Sequence, residues 1–125
     1  MDGVNIVTII GNVGNITELQ STQNNKKVIN ISIATSESFF DSANEKKIET
    51  QWHNVVLWSN LAEIGSKFIH KGTLLYVEGK INYRKKADNT SYTEIVARNI
   101  RVLSKKIDSK EEEISLDVDI EKYFL

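Results

Sequence analysis

An all-β barrel of five strands, with one short helix between the third and the fourth, is the fold the sequence predicts. Three observations carry that reading. Strand-length runs rich in Val and Ile recur between Gly, Asn and polar turns. Val28 to Thr35 alternates with period two, placing Ile29, Ile31 and Ile33 on one side. A single stretch, Leu61 to Ile69, repeats its apolar residues at helical intervals.

Taken in order, Val4 to Val13 reads as a first strand running into a turn at Gly11-Asn12 and Gly14-Asn15, with Ile16 to Ser21 continuing it beyond a bend. Thr22 to Lys27 is a polar turn, and Val28 to Thr35 is the second strand. Ser36 to Lys47 is polar apart from Phe39 and Phe40 and reads as a long hairpin loop with two aromatics at its base. Ile48 to Trp58 is the third strand. Asn60 and Glu63 have the spacing of a capping box, Leu61, Ile64, Phe68 and Ile69 form the helix's packed face, and Gly72 supplies the stop. Thr73 to Arg84 and Tyr92 to Leu103 are the fourth and fifth strands, with a turn at Ala87 to Ser91. This order is that of the OB-fold, a partly open five-stranded barrel that recurrently binds oligonucleotides or oligosaccharides.

Composition narrows the function. With 40% hydrophobic and 26% charged residues, the 125-residue chain is balanced as a globular domain. It has no cysteine and only two histidines, His53 and His70, which removes thiolate and histidine-cluster metal sites from consideration. No nucleophile and base, and no carboxylate cluster, is spaced for catalysis, so neither an enzyme nor a cofactor is expected. No apolar run approaches a membrane span and no secretory leader pattern opens the chain, so a cytoplasmic protein is expected. The net charge of −1 is unevenly spread: residues 1–106 hold 14 Lys and Arg against 10 Asp and Glu, whereas residues 107–125 hold 2 against 7. We read a basic OB-fold domain over 1–106 and a short acidic tail over 107–125.

Unpaired nucleic acid needs π-faces for its bases and cations for its backbone. Trp52 and Trp58, six apart on one strand, share a face with Asn54 and Val56, leaving Val55 and Leu57 for the core. Lys46, Lys47, Lys67, Lys71, Lys80 and the run Arg84-Lys85-Lys86 are the candidate phosphate contacts. The competing readings are core or subunit-contact tryptophans and merely solvated lysines.

Several segments together resemble the bacterial single-stranded-DNA-binding protein family. They are Val4 to Gly14, Ile33 to Ser38, Thr50 to Trp58, Leu61-Ala62-Glu63, Lys71 to Gly79 and Tyr92 to Ile95, collinear over about residues 3 to 103. The resemblance implies an OB-fold, a homotetramer, and the binding and protection of single-stranded DNA during replication, recombination and repair. By position, Trp52 matches a stacking tryptophan, Phe39 falls where the family usually has tryptophan, and Trp58 falls where it often has phenylalanine. A further stacking tryptophan of the family is replaced by Lys86. His53 looks like the family's histidine near a subunit contact. Family members end in an acidic tip that recruits replication and repair proteins. Here Asp117, Asp119, Glu121, Tyr123, Phe124 and Leu125 are the candidate docking residues, without the usual proline. The alternative is an OB-fold protein-interaction module of a replication or restart complex that binds DNA weakly.

Overall fold

The computed structural model describes residues 1–104. The elements are β1 (Val7–Ile16), β2 (Gln20–Ser21), β3 (Lys27–Phe40), β4 (Lys46–Trp58), α1 (Asn60–Phe68), β5 (Leu74–Lys85) and β6 (Ser91–Val102). Five of the strands close a barrel in the order β1-β5-β6-β4-β3, and β1 returns to β3 to complete it. The two-residue β2 merely extends the edge of β3. This is the OB-fold.

Closure depends on β1 serving two neighbours. Val7 to Asn12 pair with β5, then Asn12 to Ile16 pair with β3 across a register shift between Val13 and Ile16. The Gly-Asn pairs expected to end this strand therefore lie inside it, at the bend where it changes partner. The helix closes one end, and the core of Val13, Ile29, Ile31, Ile33, Val55, Leu57, Ala62, Ile69, Leu75, Val77, Ile95, Ala97 and Ile100 fills the interior.

Several expectations are corrected. The segment from Ser36 to Lys47 is not a long loop: β3 and β4 continue in unbroken register from Val28↔Trp58 to Phe40↔Lys46, and only Asp41 to Glu45 turn. The Asp41 carboxylate accepts the backbone N–H groups of Ala43 and Glu45, both at 2.9 Å, and Asn44 takes the left-handed conformation. Asn25 and Asn89 do the same in the two other hairpin turns. The helix also packs differently. Leu61 and, just past the helix end, Ile69 pack on the core as expected, but the buried residues within the helix are Ala62 and Gly65, while Ile64 and Phe68 are exposed. A Cβ on Gly65 would lie 2.6 Å from Ile29 Cδ1 and 2.8 Å from Leu57 Cδ1, so even a methyl group there requires the core side chains beneath the helix to shift.

Ser59, not Asn60, precedes the first helical turn, and no side chain caps it. Instead of closing a capping box, the Glu63 carboxylate pairs with Lys27 at the start of β3, tying α1 to the sheet. Gly72 lies beyond the helix end, in the turn from His70 to Thr73.

The hydrogen bond and charge of Lys27 hold the Glu63 carboxyl below its ordinary value. A folded-state value below the unfolded one contributes stability above the ordinary carboxylate range and loses it as pH falls through the folded value. Glu63→Gln is therefore expected to lower the melting temperature slightly at pH 7, with the gap to wild type closing on acidification. A gap that persists at pH 3 would refute the ion-pair origin.

Candidate nucleic-acid interface

The site follows from where β4 and β6 part company. These strands run parallel and meet only at Val55↔Ile95 and Val56↔Val96. Before those pairs, β4 stays paired to β3 and β6 stays paired to β5. Two antiparallel ribbons thus project from the same end of the barrel, opposite α1. The cleft between their bases, about 160 Å³, is lined by Trp52, His53, Asn54, Thr93, Glu94 and Ile95.

The register separates the faces. Odd residues of β3 and β4 point to the core at Ile29, Ile31, Ile33, Val55 and Leu57, so Trp52, Asn54 and Trp58 lie on the outer face. Trp52 is 62% exposed and Trp58 is half-buried. Val56, expected beside them, is buried, at the point where β4 pairs with β6. Phe40, 68% exposed, and Ile48 continue the Trp52 face outward. Phe40 stands six residue pairs beyond Trp52, about 20 Å at the rise of a strand. Phe39 alternates to the other face of the ribbon with Glu37 and Glu49, and is 45% exposed.

Trp52 is seated rather than free. Its partner across β3 is Ala34, and its ring passes over that strand to β1. A Cβ on Gly14 would lie 2.8 Å from Trp52 Cη2 and 3.1 Å from Ser32 Oγ, so the outer edge of the indole occupies the space that a side chain at position 14 would take. Burying one edge of the ring fixes its direction, while the exposed remainder is left for stacking.

Of the predicted cations, Lys46, Arg84, Lys85 and Lys86 lie on the two ribbons, and Lys80 lies on the barrel part of β5. Lys47 is engaged by the turn acids, 3.9 Å from Asp41 and 3.4 Å from Glu45. Lys67 and Lys71 are at the helix end and are not brought to the cleft. Lys86 holds its ammonium 5.5 Å from the centroid of the Tyr92 ring, a cation–π arrangement at the ribbon tip. His53 lies on the core-side row, its Nε2 2.8 Å from Thr35 Oγ1. Asp117, Asp119, Glu121, Tyr123, Phe124 and Leu125 lie outside the described residues.

The sequence profile of the Single-strand binding protein family matches residues 4–103. The chain belongs to that family. It is 38% identical over 109 residues to the Single-stranded DNA-binding protein 1 of Chlorobaculum tepidum, covering 83% of this chain and 67% of that protein. It is 39% identical over 113 residues to the Single-stranded DNA-binding protein of Rickettsia felis, covering 86% and 74%. Among solved structures, the Plasmodium falciparum SSB in complex with ssDNA superposes with a TM-score of 0.72 at 28% identity, covering 82% of this chain and 96% of that one. The wild-type Thermus aquaticus single-stranded DNA binding protein shares the fold, with a TM-score of 0.72 at 24% identity, covering 85% and 53%.

Within this family member, sequence reasoning passed over Gly14, Tyr92, Asn82 and Glu94. In the sequence Gly14 has only the context of a turn residue, and the packing of Trp52 against it reveals its use. Tyr92 and Glu94 had strand neighbours but no visible partner, because the residues they meet are supplied by β5 across the hairpin. Among the described residues no group of His, Cys, Asp or Glu is placed to hold a metal ion, and no helix is long and apolar enough to cross a membrane.

The seat of Trp52 is directly testable. In a Trp58→Phe background, Gly14→Ala should displace the indole and raise its quenching by acrylamide while the far-ultraviolet circular dichroism stays unchanged. Equal quenching in both proteins would show that Gly14 does not position the ring.

Proposed function

We propose that this protein binds and protects single-stranded DNA without strong sequence preference, catalysing no reaction. The observation that carries the reading is Trp52. A large indole, mostly exposed yet edge-anchored on Gly14, lines the cleft between two ribbons that carry Lys46, Arg84, Lys85 and Lys86. Stacking tolerates every base because every base has a π-face, and lysine and arginine side chains track the phosphates. Membership of a family whose relatives are named for single-stranded DNA binding supports the same reading.

Trp52 is the central stacking residue. Trp58, half-buried on the same face, and Phe40 extend its row, while Phe39 serves a strand passing around the ribbon's other side. Lys46, Lys80, Arg84, Lys85 and Lys86 are the phosphate contacts, with Lys67 and Lys71 available to DNA that continues over the helix end. Because Lys86 replaces a stacking aromatic of the family, electrostatics carries a larger share of the affinity in this member. The protein acts as a homotetramer with His53 near a subunit contact, and residues 107–125 form an acidic tail that docks replication and repair proteins.

Titration with oligo-dT should quench tryptophan fluorescence, and the binding constant should fall steeply with salt. Absence of quenching at low salt would refute the reading. Trp52→Ala should weaken binding by about 1–3 kcal/mol, roughly fivefold to a hundredfold in Kd, with the salt slope preserved. A loss as small as that of an exposed surface alanine would remove Trp52 from the stacking role.

Deleting residues 107–125 should leave the barrel folded, abolish partner capture and tighten DNA binding most at low salt, where a polyanion's repulsion is least screened. Unchanged capture and affinity would dismiss the tail's role.

A further inference from the structure

A carboxylate buried in the surface that receives a polyanion is out of place unless it has work to do. Glu94 is such a group. It lies on the outer face of β6, beside the Trp52 cleft, and is only 3% exposed. Burial penalises the charged form unless donors compensate it. Both compensating groups come from β5. Asn82 Nδ2 donates to Glu94 Oε1 at 3.0 Å, and Arg84 Nε lies 3.3 Å from the same oxygen.

The mode of approach is informative. Arg84 stands opposite Tyr92, two pairs along the ladder from the Asn82↔Glu94 pair and so on the same face, and its closest contact with the carboxylate is through Nε. The side chain is 47% exposed and makes no other ion pair or hydrogen bond among the described residues. A guanidinium held by its Nε edge keeps its terminal nitrogens, a planar fork matched to phosphate oxygens, for a ligand. A lysine has no second edge by which it could be held in this way.

We propose that Glu94 is a positioning residue for DNA: it fixes Arg84, with Asn82 locking the carboxylate, so that the arginine fork faces a phosphate of the bound strand. This rests on the single-stranded-DNA reading above. It makes a prediction opposite in sign to simple electrostatics. Removing an anion from a DNA-binding face should tighten binding, whereas removing the group that holds Arg84 should weaken it.

The test is fluorescence titration with oligo-dT over a range of salt, on wild type, Arg84→Gln, Glu94→Gln and the double variant, each checked for folding by circular dichroism. Arg84→Gln should lower the magnitude of the log K against log salt slope by about 0.7, the loss of one phosphate contact to a single strand. Glu94→Gln should weaken binding and move the slope the same way. The double variant should bind within about twofold of Arg84→Gln alone, because coupled residues are not additive. As a control, Lys85→Gln should add its effect in full to that of Glu94→Gln.

Glu94→Gln that binds as tightly as wild type or tighter, with an unaltered slope, would overturn the proposal, and so would full additivity with Arg84→Gln. If Glu94→Gln does not fold, Glu94→Asp provides the same comparison: its shorter reach should reduce the slope, and an unchanged slope would overturn the proposal. Wild type that fails to bind oligo-dT would instead reject the functional reading itself.

Discussion

Two residue pairs, Val55↔Ile95 and Val56↔Val96, are the contact on which the rest of the architecture depends. They are the whole of the parallel pairing between β4 and β6. They complete the ring of strands at the stretch of β4 where Val55, Val56 and Leu57 are all buried. Because the pairing ends there, the earlier parts of both strands have one partner each, and the chain must fork. The cleft beside Trp52 is that fork. A longer parallel ladder would have closed the gap and left no place between the ribbons.

The fork also creates free strand edges, which elsewhere invite pairing with another chain. On the outer half of β4 the residues are Lys46, Lys47, Glu49, Thr50 and Gln51, with the apolar exceptions Ile48 and Trp52. Charge along such an edge discourages uncontrolled pairing, and the apolar exceptions on the outer face are the ones a stacking surface would use. The opposite face of the same ribbon carries Glu37 and Glu49. The ribbon is therefore electrically two-sided, and the row that begins at Trp52 is the side without carboxylates.

The barrel was legible in the sequence wherever one face of a strand is buried. Ile29, Ile31 and Ile33 alternate because the core demands it. The ribbon from Ser36 to Lys47 was illegible for the same reason: with both faces in water, no alternation is enforced, and a paired strand looks like a polar loop. The helix misled in a different way. Leu61, Ile64 and Phe68 have the spacing of a packed face, yet close approach to Ile29 and Leu57 selects the small residues Ala62 and Gly65, and of the larger side chains only Leu61 packs on the core while Ile64 and Phe68 turn outward. In the site, residue type identified Trp52 and the ribbon cations. Which neighbour each one meets depended on register across strands and could not be read along the chain.

The near-zero net charge is a poor guide to what this surface attracts. Side chains on opposite faces of a ribbon point away from one another, and exposed charges further apart than the screening length, about 8 Å at physiological salt, interact weakly. The carboxylates of the far face are thus largely screened from a ligand on the Trp52 face, and those of residues 107–125 count only where that segment is near. What a bound strand would sense is local: Lys46, Lys80, Lys85, the guanidinium held by Glu94, and an ammonium resting on Tyr92. In the last two, neighbours limit the directions in which a long cationic side chain can point. Such restraint lowers the entropy cost of fixing each cation against a phosphate, and it is a means by which a surface with fewer stacking rings can retain affinity through charge.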